Sequence, residues 1–98
     1  MKGVEIILIR TAGDSGEQVC RYLQEIRRST QDLTASSMRF YVNADVDGDL
    51  AVVLSWTSMR VKNRKSDLGL NLATAMRRFG LVDHTCWLAV ENDDPYLQ

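Results

Sequence analysis

Apolar positions along the chain follow two rhythms, a period of two and a period near 3.6, and both halves run through them in the same order. Val4 to Ile9 is dense in β-branched residues and short, which predicts a strand. Gly13-Asp14-Ser15-Gly16 breaks it. Asp14 with Glu17, or Ser15 with Gln18, then has the spacing of a capping box at a helix start. Val19, Tyr22, Leu23 and Ile26 recur at helical intervals, and Arg27-Arg28 place positive charge where a helix C-terminus favours it. Residues 30–37 are polar apart from Leu33 and Ala35 and read as a connection. Met38 to Ala44 alternates, with Met38, Phe40, Val42 and Ala44 on one face and Arg39, Tyr41 and Asn43 on the other.

Asp45-Val46-Asp47-Gly48-Asp49 predicts a hairpin turn into a strand over Leu50–Trp56, with Asp47-Gly48 suited to the positive φ of such turns. Ser66 is the expected cap of a second helix. Its buried stripe is Leu68, Leu72, Ala75, Met76 and Phe79, its basic end Arg77-Arg78, and its C′ residue Gly80. Thr85 to Val90 predicts the last strand, and residues 92–98 a short tail. The order is βαββαβ. It implies an α+β, ferredoxin-like fold, with a four-stranded antiparallel sheet and two helices on one face.

Two helices cover one face of such a sheet, yet the strands are apolar on both. Ile7 and Ile9 oppose Val4, Ile6 and Leu8; Ala51 and Val53 oppose Leu50, Val52, Leu54 and Trp56; Trp87 and Ala89 oppose Cys86, Leu88 and Val90. An uncovered face of this kind exceeds the roughly 300–600 Å² patch usual on a monomer. A homodimer through the open sheet face is therefore expected, using Ile7 or Ile9 with Val53 and Trp87, and Tyr41 near the rim.

The length of 98 residues fits one domain, with an ordered core over about 3–91. A formal net charge of −1 gives no pull towards nucleic acid or an anionic membrane. RNA-binding sheets of this order stack bases on aromatics of the first and third strands. Here those strands offer only Trp56, so no nucleic-acid partner is expected. No apolar run reaches the roughly 18–20 residues that span a bilayer, and Met1-Lys2-Gly3 leads straight into a strand without a signal layout. No membrane partner and a cytoplasmic location are expected. There Cys20 and Cys86 are free thiols.

Candidate chemistry is sparse. Asp45, Asp47 and Asp49 match the start of a calcium loop, but Leu50 and Trp56 stand where its glycine and bidentate glutamate belong, so a plain hairpin is expected. His84, the single histidine, could act as a general base or acid if a carboxylate orients it, although Asp83 beside it points to the opposite strand face. With Cys20 and Cys86 it cannot complete a four-ligand set without carboxylates, so no metal and no other cofactor are expected. Arg60, Lys62, Arg64 and Lys65 form a basic loop ahead of the second helix, read as a solvated connection. Trp56, at a strand end and over a helix carrying Asn71, could wall a cavity for an apolar or aromatic molecule.

Trp56-Thr57-Ser58, then Ser66-Asp67-Leu68-Gly69 and a Leu/Ala helix, then Arg78-Phe79-Gly80-Leu81-Val82-Asp83-His84 and Trp87 resemble the dimeric α/β-barrel proteins of the antibiotic-biosynthesis-monooxygenase type. The resemblance spans most of the chain in element order and rests on the second half in motifs. It implies a ferredoxin-like protomer paired sheet to sheet with its twin. The activities it implies are cofactor-free oxidation of aromatic polyketides or quinols and, in one branch, oxidative haem breakdown. That branch uses an Asn in the first strand, a Trp ending the third and a His in the second helix, of which only Trp56 is present. Polyketide-type members use a Trp with Asn, Tyr and Arg partners; Trp56 fits, with Asn43, Tyr41 and Asn71 as available types. The leading expectation is a monooxygenase-like homodimer binding a small aromatic ligand, with Trp56, Asn71 and His84 as site residues. The alternative is a non-catalytic ligand-binding or protein-interaction module.

Overall fold

Which face of each strand meets the helices depends on how the strands pair. A computed structural model describes residues 2–11, 15–29, 37–57 and 65–90. The elements are β1 (Gly3–Thr11), α1 (Ser15–Ser29), β2 (Ser37–Val42), β3 (Asp49–Trp56), α2 (Asp67–Met76) and β4 (Gly80–Leu88). The sheet order is β2-β3-β1-β4, and every neighbouring pair is antiparallel. This is the ferredoxin-like βαββαβ arrangement that the sequence predicts. No helix among the described residues is long and apolar enough to cross a membrane.

The register sorts the side chains. Ile7 lies between Val52 and His84, and Ile9 between Leu50 and Val82, so these residues share the helix-covered face. Ile7, Ile9, Val52 and Leu54 are buried there against Val19 and Leu23 of α1 and Leu72, Ala73 and Met76 of α2. On the other face Ile6 lies between Val53 and Thr85, and Leu8 between Ala51 and Asp83. Leu8 is 47% exposed and Trp87 57% exposed. The open face is thus apolar, but the expected use of Ile7 or Ile9 in it is wrong. Both are core residues because they pair with the Leu50–Leu54 side of β3, and Val4, Ile6 and Leu8 take the open side.

The turn from β2 to β3 is closed by backbone chemistry. Asn43 Oδ1 accepts from the N–H groups of Asp45 and Val46, which ends β2 at Val42, two residues before the expected Ala44. Gly48 has φ of 88°, and its carbonyl accepts from the backbone N–H and the hydroxyl of Thr11. A Cβ at Gly48 would lie 2.8 Å from Thr11 Oγ1, so both backbone and space require glycine.

At the other end of the chain, β4 starts at Gly80 rather than Thr85 and stops at Leu88 rather than Val90. Helix α2 ends at Met76 with Arg77 as its cap, so Gly80 is not the C′ residue. It pairs with Thr11, and a Cβ there would run into the Arg10 carbonyl. Close approach of β1 and β4 accounts for this glycine. The earlier start moves His84 from the strand entry to mid-strand, opposite Ile7. The expected Asp14 cap, the basic loop at 60–64 and the tail lie outside the described residues.

Replacing Leu54, fully buried, by Ala is expected to destabilise the protein by about 2–5 kcal/mol in urea unfolding. The same change at Val46, exposed in the turn, should stay within about 0.5 kcal/mol. Equal costs at the two positions would contradict the assignment of faces.

Candidate functional site

One acidic side chain sits in the first strand, within the apolar run from Val4 to Ile9, and it points inward. Glu5 shares the helix-facing side of β1 with Ile7 and Ile9 and has no exposed surface. A buried carboxylate is tolerable only where donors replace its water. Four do so. Oε2 accepts from Trp56 Nε1 at 2.7 Å and from Ser66 Oγ at 2.6 Å. Oε1 accepts from the Ser66 backbone N–H at 2.9 Å and lies 3.0 Å from His84 Nε2.

Each donor arrives for a local reason. Trp56 ends β3 directly opposite Gly3, on the same face of the sheet as Glu5 and two residues from it along β1. Ser66 is the N-cap of α2; its Oγ accepts from Gly69 N at 2.9 Å while donating to Glu5. The carboxylate therefore sits at the positive end of the helix dipole. A Cβ on Gly69 would collide with Glu5 Oε1 and lie 3.0 Å from His84 Cε1. Glycine there lets the first turn of α2 rest directly on the Glu5–His84 pair.

His84 is nearly enclosed, its side chain 6% exposed. With Nε2–H donating to Glu5, the neutral ring keeps an acceptor lone pair on Nδ1; the protonated ring would instead form a buried ion pair. Asp83 is exposed on the opposite face, so the carboxylate that orients His84 is Glu5. Cys86, the cross-strand partner of Glu5, completes the group: a Glu5 oxygen, a His84 ring nitrogen and Cys86 Sγ all lie within 4.8 Å of one another.

Of the expected site residues, Trp56 and His84 meet through Glu5. Asn71 does not join them; it is exposed on α2, off the buried stripe of Gly69, Leu72, Ala73 and Met76. Tyr41 is on the open sheet face, and Asn43 is occupied in the turn. Lys65 is exposed, and the rest of the basic loop lies outside the described residues. Glu5 and the Ser66 link to it were not anticipated. The available signal was a lone acid in register with Ile7 and Ile9.

On the outer side of Trp56 a groove of about 380 Å³ is lined by Gly3, Val4, Trp56, Thr57, Trp87 and Leu88. A second groove of about 430 Å³ lies at the far end of the sheet, around Leu8, Arg10, Tyr41, Asp49 and Leu81. It is remote in register from Trp56, and the Arg10–Asp49 pair crosses it at 3.3 Å. The first groove shares Trp56 with the buried cluster, while its Val4 and Trp87 belong to the open face of the sheet.

No family model matches the chain, and no curated protein matches it in sequence at a significant level. Solved structures do match in shape. SnoaB, a cofactor-independent oxygenase from Streptomyces nogalater, is similar over 94% of this chain and 96% of its own, with a TM-score of 0.61 and 16% identity. An antibiotic biosynthesis monooxygenase matches over 93% and 98%, with a TM-score of 0.62 and 14% identity. A NIPSNAP family protein from Agrobacterium tumefaciens matches over 97% and 98%, with a TM-score of 0.61 and 12% identity. At these identities the likeness establishes the fold. The chain has the ferredoxin-like βαββαβ fold of the antibiotic-biosynthesis-monooxygenase structures, as the residues of its second half imply.

Proposed function

We propose that this chain is a homodimeric, monooxygenase-like α/β-barrel protein whose single-domain protomers each bind a small aromatic molecule against Trp56. The observation that carries this reading is the polar cluster in an apolar interior, which ties Trp56 to an oriented imidazole through Glu5. Such a pair suits proton abstraction. In the tautomer set by Glu5, His84 Nδ1 keeps the lone pair that takes a proton from a phenol or quinol once local opening exposes the nearly enclosed ring, and the resulting anion passes its electrons to dioxygen. The substrate then serves as both acid and reductant, and no cofactor is required. The half-buried thiols of Cys20 and Cys86 suit the cytoplasm.

The dimer reading is supported by the open face, where Val4, Ile6, Leu8 and Val53 form an apolar centre with Trp87 at one end. A two-fold axis would set this patch against itself. The second reading, a non-catalytic module, is favoured by the saturation of Glu5. All its acceptor positions are taken and α2 rests on the pair, as expected of a staple between elements.

Light scattering at high micromolar concentration is expected to give a dimer. Ile6→Lys should yield a folded monomer, and a wild-type monomer would contradict the reading. Glu5→Ala strands three buried donors and a histidine, so a loss of about 3–5 kcal/mol is expected in chemical unfolding. A change below about 1 kcal/mol would mean that the cluster does not form.

Trp56→Phe removes one donor and should cost about 1–3 kcal/mol while weakening the binding of an aromatic quinol, read by tryptophan fluorescence. Destabilisation with unchanged binding would sink the pocket at Trp56. His84→Gln separates the two readings. Loss of quinol oxidation with binding retained supports the base; a wild-type protein that binds quinol and consumes no oxygen supports the module.

A further inference from the structure

We propose that Glu5, His84 and Cys86 form a site for one divalent transition-metal ion of borderline softness, with zinc as the reference case. The placement comes from the sheet. Glu5 and Cys86 are cross-strand partners, and His84 lies two residues before Cys86, so all three project to the same face. Their ligand atoms lie within 4.8 Å of one another. A carboxylate oxygen, an imidazole nitrogen and a thiolate sulfur are the donors that zinc and its neighbours select. The carboxylate that the cysteines and His84 need to build a metal site is supplied by Glu5.

The spacing fits. Two ligands each about 2.0–2.2 Å from a tetrahedral ion stand about 3.3–3.5 Å apart. Glu5 Oε1 and His84 Nε2 are 3.0 Å apart, so the edge must lengthen by a few tenths of an ångström and the imidazole must turn by about 35° for its Nε2 lone pair to face a tetrahedral ion rather than the carboxylate. The carboxylate would keep its bonds from Trp56 Nε1 and Ser66, which then act as the outer contacts that hold a ligand in place. Three protein donors leave a fourth position for water or a small ligand.

Charge points the same way. A fully buried carboxylate calls for a positive partner, and among the described residues His84 is the one ionisable group in contact with it that can carry positive charge. A divalent ion held by the Glu5 carboxylate and a Cys86 thiolate makes a neutral group. Binding displaces the thiol proton of Cys86 to solvent. His84 coordinates through Nε2 with its proton on Nδ1, so a neutral ring releases none and a protonated ring releases one. Affinity therefore rises with pH.

The proposal does not rest on quinol oxidation, and chelator-treated protein assayed for that activity judges the earlier reading separately. The test is a titration of the whole metal-free protein with cobalt(II), a spectroscopic stand-in for zinc. Saturation at one ion per chain is expected, with a near-ultraviolet thiolate-to-cobalt band and visible bands of a four-coordinate ion, both lost on adding zinc. Cys86→Ser should remove the ultraviolet band and weaken binding by about tenfold or more. Cys20→Ser, on α1, should change neither. Because Cys86→Ser is nearly isosteric, its folding can be confirmed by circular dichroism even if Glu5 variants unfold. Absence of saturable binding, or a band that survives Cys86→Ser and disappears with Cys20→Ser, would overturn the site.

Discussion

A single buried carboxylate constrains more of this molecule than any apolar contact does. Once the pairing of β1 turns Glu5 inward, water can no longer solvate it, and four protein groups must. They come from the end of β3, from the backbone and side chain at the start of α2, and from the middle of β4. These segments are distant in sequence, so the carboxylate fixes where α2 starts over the sheet. It also fixes which way the Trp56 indole and the His84 ring point. Gly69 follows from the same demand, because any side chain there would hold α2 off the pair.

The second constraint is the two-faced sheet. Helices α1 and α2 cover the side with Ile7, Ile9 and Leu54, while Leu8 and Trp87 face outward. The hydrophobic effect makes no distinction between a core and an interface; it only penalises apolar area left in water. The open face and the Glu5 cluster lie on opposite sides of the same strands. Val4 and Ile6 flank Glu5 in sequence and point the other way. What covers the open face therefore also bears on how firmly β1 is held.

Much of the fold was legible in the chain because it is written in periods. The alternation over β3 and over Met38–Tyr41 of β2 and the Ser66 cap correspond to structure, whereas Val42 is exposed and Ala44 lies beyond the strand. The end of α2 was misread because Gly80 fits a helix C′ residue and a crowded strand start equally well; only pairing with β1 reveals the second. The face of β1 was ambiguous for a related reason. Ile7 and Ile9 are as apolar as Ile6 and Leu8, and the one distinguishing residue, Glu5, is the kind normally placed in water. The candidate site was half legible. Trp56 and His84 stand out by type, but the group joining them is identified only when β1 sits between β3 and β4. Asn71 was singled out by type alone, without reference to the stripe of α2 that packs on the sheet.

The most direct test of this account is the hydrogen-exchange rate of the two indole N–H groups, followed by nitrogen-15 NMR. Trp56 donates to a fully buried carboxylate, whereas Trp87 is exposed and donates to Thr85 Oγ1. The account predicts that the Trp56 indole proton exchanges only through opening of the core, orders of magnitude more slowly than that of Trp87. Equal and fast exchange at both indoles would mean that the Glu5 cluster does not hold Trp56, and would contradict the account.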